Sequence, residues 1–214
     1  LHYPLRRQRQ MCIRDRLFVV TAKDLKLSSI ADLRKRAAQP DADLNFCSAG
    51  NGSINHLAGE LFKQKANVVM THVPYKGSGP ATVDLLAGRV QVFFATVPTI
   101  LSQVRDQRVE LLAVTGKTRS PLFPDTPTVA EAGVPDFDIT TWWGVLAPAG
   151  TPPDIVGRLN QAINAAASDT LVRDRLQHEG AQAISGSPED FGQALSAELA
   201  LWRGVVQQSG MALD

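Results

Sequence analysis

The chain has 214 residues, a hydrophobic fraction of 44% and a formal charge of +1. These values describe a globular protein of one large domain or two small lobes. Its longest apolar run falls far short of the ~20 residues that a membrane helix requires. Internal repeats, heptads and low-complexity tracts are absent.

Residues 1–16 hold five of the 22 basic and one of the 21 acidic residues, so the remainder carries about −3. Met11–Arg16, MCIRDR, reads as a translated sequencing-library adaptor joined to an open reading frame, which makes 1–16 a non-native tail and starts the native sequence near Leu17. The other readings of so basic a start are a disordered tail, a targeting segment or a nucleic-acid arm. With Cys12 in that tail, Cys47 is the single native thiol, and one thiol makes neither a disulfide framework nor a metal cluster.

Leu17–Val20 is a short apolar strand. Ser28-Ser29 caps a helix over 30–38 with Ile30, Leu33 and Ala37 on one face. Leu44–Ser48 reads as a strand, followed by a Gly-rich loop and a helix over 55–64 with a buried stripe of Leu57, Leu61 and Phe62. Strand composition over 68–75, a Gly/Ser loop and a helix through Ala87 come next, with Pro80 at the first helical position and Gly88 closing it. A strand over 90–94, a helix over 98–107 and a strand over 109–114 complete an alternation that argues for a mostly parallel sheet covered by helices. After the Pro-rich 120–127, a helical turn over 129–132 ends at Gly133, and a strand over 137–146 carries Trp142 and Trp143, one core and one facing a cleft or hinge. Helices over 151–167, 169–178 and 187–208 follow, with a short strand over 182–184. One long strand cannot make a lobe, so this last part needs partner strands from elsewhere.

The loop Ser48-Ala49-Gly50-Asn51-Gly52-Ser53 carries the strongest chemical signal. Gly50 and Gly52 permit a close backbone approach, Ser48, Asn51 and Ser53 add donors, and a helix N-terminus presents unpaired amides to an anion. The plain alternative is a Gly-rich turn with Ser53 as its helix cap. Its spacing matches neither a nucleotide-triphosphate loop nor a full dinucleotide fingerprint. Tyr75-Lys76-Gly77 repeats the arrangement one βα unit later, with Tyr75 as a wall and Lys76 as a counter-charge; the alternative is a capped turn with an exposed lysine. Thr96 occupies the equivalent strand end, where helix capping competes with ligand contact. In open α/β sheets such loops gather at the C-terminal strand edge. No nucleophile elbow or zinc-binding helix pair is present. His56 reads as a partly exposed helix residue, and Asp84 and Glu60 as helix-surface charges.

The segments SAGNGSINHLAGELFKQ (48–64), HVPYKGSGPATVDLLAGRVQVFF (72–94), LLAVTGKTRSPLFPDTPTVAEAGVPDF (111–137) and WWGVLAPAGTPPDIVGRLN (142–160) resemble, in order, the substrate-binding proteins of tripartite tricarboxylate transporters, the Bug family. The resemblance covers nearly all of 17–214. It implies a periplasmic-binding-protein-like α/β fold of two lobes, each a sheet flanked by helices and joined by crossing strands. It also implies a non-enzymatic, monomeric periplasmic receptor that traps a small organic acid, a di- or tricarboxylate or similar, and hands it to membrane permease subunits. No cofactor, metal or nucleic acid is implied. By resemblance, Ser48, Gly50, Asn51, Gly52 and Ser53 match the carboxylate-binding loop of the second lobe, Tyr75, Lys76 and Gly77 a cleft-lining motif, and Thr96 a further cleft position. Residues 17–139 then form the second lobe with a crossing strand, and 140–214 the returning part of a first lobe whose opening strand and Gly-Gly loop are not in this sequence. That first lobe is expected to be incomplete, with uncovered apolar surface, so that the chain binds organic acids weakly or not at all and tends to aggregate. The alternatives are an enzyme using the Gly loop as a phosphate or oxyanion site, with His56 as its nearby base, and the ligand-sensing module of a regulator.

Overall fold

Apolar residues spaced two apart in the strands and three or four apart in the helices sort this chain into layers. The computed structural model describes residues 9–39 and 42–211; the first half of the expected tail, residues 1–8, lies outside them. The chain divides into two compact units, one of 16–141 with 205–214, the other of 142–204 with the N-terminal residues through Asp15.

In the first unit, the part of β1 (Arg9–Ala22) from Arg16 on, β2 (Asn45–Ser48), β3 (Thr71–Pro74), β4 (Val92–Thr96) and β5 (Val109–Val114) form a sheet in the order β3-β2-β4-β1-β5; the start of β1, through Asp15, belongs to the other unit. β2 runs parallel to β3 and β4, and β1 lies antiparallel between β4 and β5. The sheet is thus mixed rather than mostly parallel: two of its four neighbouring pairs are parallel and two antiparallel, because β1 is inserted in reverse between β4 and β5. The helices α1 (Ile30–Ala37), α2 (Ile54–Ala66), α3 (Ser78–Leu86) and α4 (Val97–Arg105) connect the strands. Ser29 caps α1 by accepting the amide of Asp32, and Asn67 ends α2 in the left-handed conformation.

Strand alternation divides the core. Phe18, Val20, Phe93 and Ala95 join Ala81, Leu85 and Ile100 in one fully enclosed cluster. Phe94 faces the other way, against Phe62 at 5.4 Å between ring centres and edge-on to Phe46 at 6.5 Å. Leu17, Phe18, Val19 and Val20 are all 0% exposed, because β1 is central and covered on both faces. Residues 9–16 continue this strand: Ile13 and Arg14 pair with β7, and the Arg16 guanidinium holds the Thr118 carbonyl and hydroxyl.

The second unit contains β6 (Thr140–Leu146, entering from Thr140 and Thr141 of the first unit), α5 (Pro153–Ser168), α6 (Thr170–His178), β7 (Gln182–Ala183) and most of α7 (Pro188–Ser209). β6 and β7 both pair with β1. Trp142 packs edge-on against buried Phe191 at 4.9 Å, whereas Trp143 is 47% exposed. Among the described residues, no helix is long and apolar enough to cross a membrane.

Several expected elements differ: the strand over 17–20 lengthens to Arg9–Ala22, the strand over 137–146 begins at Thr140, and α3 begins at Ser78 rather than Pro80. The strand over 68–75 shrinks to Thr71–Pro74, because Asn67 closes α2 and the chain begins to pair only at Thr71. Residues 129–132 form the single helical turn expected, the Ala132 amide bonding the Thr128 carbonyl at 2.9 Å. Thr128 and Glu131 bond each other's amides as a capping box, but Gly133, at φ +97°, stops the chain after one turn.

Candidate functional site

Ser48, at the end of β2, organises the Gly loop. Its hydroxyl accepts the Gly50 amide at 3.1 Å, donates to the Gly50 carbonyl at 3.0 Å and lies 2.7 Å from His72 Nε2. Gly50 and Gly52 adopt φ of +138° and +70°, which only glycine tolerates readily. Ser53 caps α2, accepting the His56 amide and donating to the Gly50 carbonyl at 2.7 Å. Gly52 donates its amide to His56 Nδ1 at 3.2 Å. The glycine amides are therefore spent inside the loop rather than offered to a ligand, contrary to the sequence expectation. The amides of Ile54 and Asn55, in the first turn of α2, are not taken up by the loop's bonds. Asn51, at the loop tip, is exposed.

The second loop is sewn to the first. Tyr75 donates its amide to the Ser48 carbonyl at 3.1 Å and Gly77 its amide to the Ala49 carbonyl at 3.0 Å. A side chain at Gly50 would meet the Tyr75 carbonyl at 3.3 Å. The Tyr75 hydroxyl donates to Asp84 at 2.8 Å, and Asp84 also holds Arg89. Burial, with that bond, pushes the Tyr75 phenol up to about 12, while the Tyr75 and Arg89 bonds lower the Asp84 carboxyl. Asp84 is thus an anchor for Tyr75 rather than a free surface charge. Lys76 is exposed, and Gly77, at φ +106°, precedes α3. Thr96 ends β4 and bonds Thr99 through its hydroxyl at 2.7 Å, without capping α4. Because β2, β3 and β4 are parallel, Ser48, Tyr75–Gly77 and Thr96 all lie at one strand edge. Asn55 ties the start of α2 to that edge through the Phe94 carbonyl at 2.6 Å.

Two side chains read as peripheral are central. His56 is 5% and Glu60 6% exposed, because eight of the thirteen α2 residues are buried, not one stripe; Leu57 is only half-buried. His56 stacks on His72 at 3.6 Å and 8° between rings, a contact that two residues on different elements do not advertise in sequence. Burial lowers both imidazoles, His72 to about 4, where the charges of His56 and Lys63 add to the effect, whereas Glu60 opposes it at His56. Glu60 holds Lys63 at 2.8 Å and stands 3.9 Å from His56 Nε2. Cys47 is sealed in the core, where burial pushes its thiol up to about 12, leaving an inert thiol rather than a nucleophile. Among the described residues, no group of three or more His, Cys, Asp or Glu side chains is placed to hold a metal.

A family model described as tripartite tricarboxylate transporter family receptor matches residues 10–211. This chain belongs to that receptor family. Within the family, the chain is 36% identical over 197 residues to protein BugT of Bordetella pertussis, covering 92% of this chain and 60% of BugT. It is 39% identical over 189 residues to the UPF0065 protein of the tcbD-tcbE intergenic region of Pseudomonas sp. strain P51, covering 88% of this chain and 56% of that protein. The chain therefore spans little more than half the length of these receptor relatives. Among solved structures, it resembles Rpa4515 of R. palustris with adipate (36% identity, TM-score 0.86, 94% of this chain and 68% of that one). It also resembles MatC of Rhodopseudomonas palustris with bound malate (28% identity, TM-score 0.82, 94% and 69%). The periplasmic binding protein BugD shares the fold at TM-score 0.82 and 27% identity.

Proposed function

We propose that this chain captures a small organic acid of the di- or tricarboxylate class and delivers it, as a monomeric periplasmic receptor, to the permease subunits of a tripartite tricarboxylate-type transporter. The observation that carries this reading is the pair of sewn loops at one parallel strand edge, each leading into a helix N-terminus. Helix ends favour an anion through unpaired amides and the macrodipole. The first-turn amides of Ile54 and Asn55, the exposed Asn51 and Lys76, and the hydroxyl of Thr96 supply carboxylate donors at that edge. Two structurally similar receptors are described with adipate and with malate. The enzyme alternative loses support, since His56 Nδ1 already accepts the Gly52 amide and the ring is buried.

The test is a titration of the isotopically labelled chain followed by amide resonances, which detects weak as well as tight binding. Adipate or malate is expected to shift resonances at 48–56 and 75–79, while a diamine of equal length leaves them in place. Saturating dicarboxylate with no movement there, or movement elsewhere alone, overturns the proposal.

A further inference from the structure

The Gly loop owes its shape to a histidine pair beneath it. Gly52 is anchored to His56 Nδ1, and Gly50 to Ser48 Oγ, which His72 Nε2 contacts in turn. These two glycines are the residues with the widest backbone freedom in the loop, so each needs an anchor if the loop is to hold one shape. The rings stack at 3.6 Å, and Phe46 flanks them at 5.0 Å from His72 and 6.2 Å from His56. Glu60 and Lys63 from α2 and Ser48 from β2 are the other polar groups facing the pair.

We propose that His56 and His72 are positioning residues for the anion-binding loop. Together they fix the peptide planes at Gly50 and Gly52, so that the first-turn amides of α2 are preorganised for a carboxylate. The inference rests on the organic-acid reading of this loop, but its core, the hold on Gly52, exists without ligand. The pair works in its neutral form. His56 Nδ1 accepts, so its proton sits on Nε2, facing Glu60. Protonation at Nδ1 would remove the acceptor and release Gly52.

Three versions of the chain separate positioning from bulk packing. His56→Phe keeps a stacked ring and removes the acceptor, whereas His56→Gln gives up the stack and restores an acceptor. In the ligand-free chain, Gly52 amide exchange is expected to accelerate roughly fivefold in His56→Phe, the factor of one net hydrogen bond. Adipate affinity, read from resonance shifts, is expected to weaken by about the same factor. His56→Gln should recover most of both. Equal Gly52 exchange in wild type and His56→Phe overturns the pairing, as does a glutamine variant that behaves like phenylalanine. Undiminished adipate binding by His56→Phe overturns it too, and leaves the organic-acid reading intact. Gly52 protection that follows His56 in a chain that binds no adipate upholds the hold on the loop and removes the organic-acid reading. The wild-type chain gives an independent reading if a variant fails to fold: its Gly52 amide shift should titrate with the His56 ring, and a Gly52 shift indifferent to that titration overturns the pairing.

Discussion

Two imidazoles stacked at 3.6 Å, one buried and one partly buried, cannot both carry charge cheaply, and this makes the folded chain acid-sensitive. His72 falls from the ordinary histidine value of 6.5 to about 4, and His56 is lowered as well. Between those values the unfolded chain takes up protons that the folded one refuses, so acid favours unfolding. The stability tied to neutral rings is whole above about 6.5 and is lost as pH falls toward 4. The lowered carboxyls of Asp32, Asp84 and Asp190 start from 3.8, below that window, and that of Glu131 starts from 4.5, at its foot, in wild type and His72→Phe alike. Melting temperature should therefore decline between pH 6.5 and 4, and more gently in His72→Phe, which removes one titrating ring. Parallel slopes in the two proteins would refute this. At this scale the sequence was partly legible. The Ser53 cap and the positive φ of Gly50 and Gly52 follow from residue type alone. That the glycine amides turn inward does not, because their acceptors, Ser48 Oγ and His56 Nδ1, are chosen by the fold.

At the scale of elements, Gly59 decides how closely α2 lies on β2. A Cβ there would sit 2.2 Å from the Phe46 ring, deep inside contact distance. Phe46 is 0% exposed and flanks the histidine stack, so it has no free volume into which to retreat. Gly59→Ala gains helix propensity but forces α2 off the sheet, and overpacking of this kind costs about 1–3 kcal/mol. A fall in denaturation midpoint without a change in slope would report that loss, whereas a midpoint equal to or above wild type would show that α2 shifts freely. Periodicity located α1, α4 and β5 to within two residues because each presents a plain apolar face. It located α2 to the same margin but misread its buried face, where His56, Glu60 and Asn55 are buried beside Ala58, Leu61 and Phe62 and no single stripe exists. Polar residues buried with partners look like surface residues until the partners are known.

Across the whole molecule, the two units bury their apolar residues very unequally. Both faces of the five-stranded sheet are covered, with Phe18, Phe46, Phe93 and Phe94 all at 0% exposure. In the other unit, β6 leaves Trp143, Val145 and Leu146 between 43% and 49% exposed, and Leu159, Leu171 and Leu199 project from its helices at 46%, 79% and 56%. Amphipathic helices and apolar strands hold their place by burying such faces, so this unit keeps its secondary structure with fewer packing contacts. Apolar side chains exposed in this number capture hydrophobic dyes where they adjoin, even when tertiary packing is fixed. The native chain should enhance 8-anilinonaphthalene-1-sulfonate fluorescence while retaining the near-ultraviolet dichroism of ordered aromatics, which separates exposed surface from a molten state. Val145→Glu with Leu171→Glu should lower that fluorescence without altering the amide resonances of 48–56, because both substitutions lie in the other unit. Dye binding no greater than that of a well-packed control protein would mean that these residues are covered in solution. Loss of near-ultraviolet signal would place the dye in a loosened core instead.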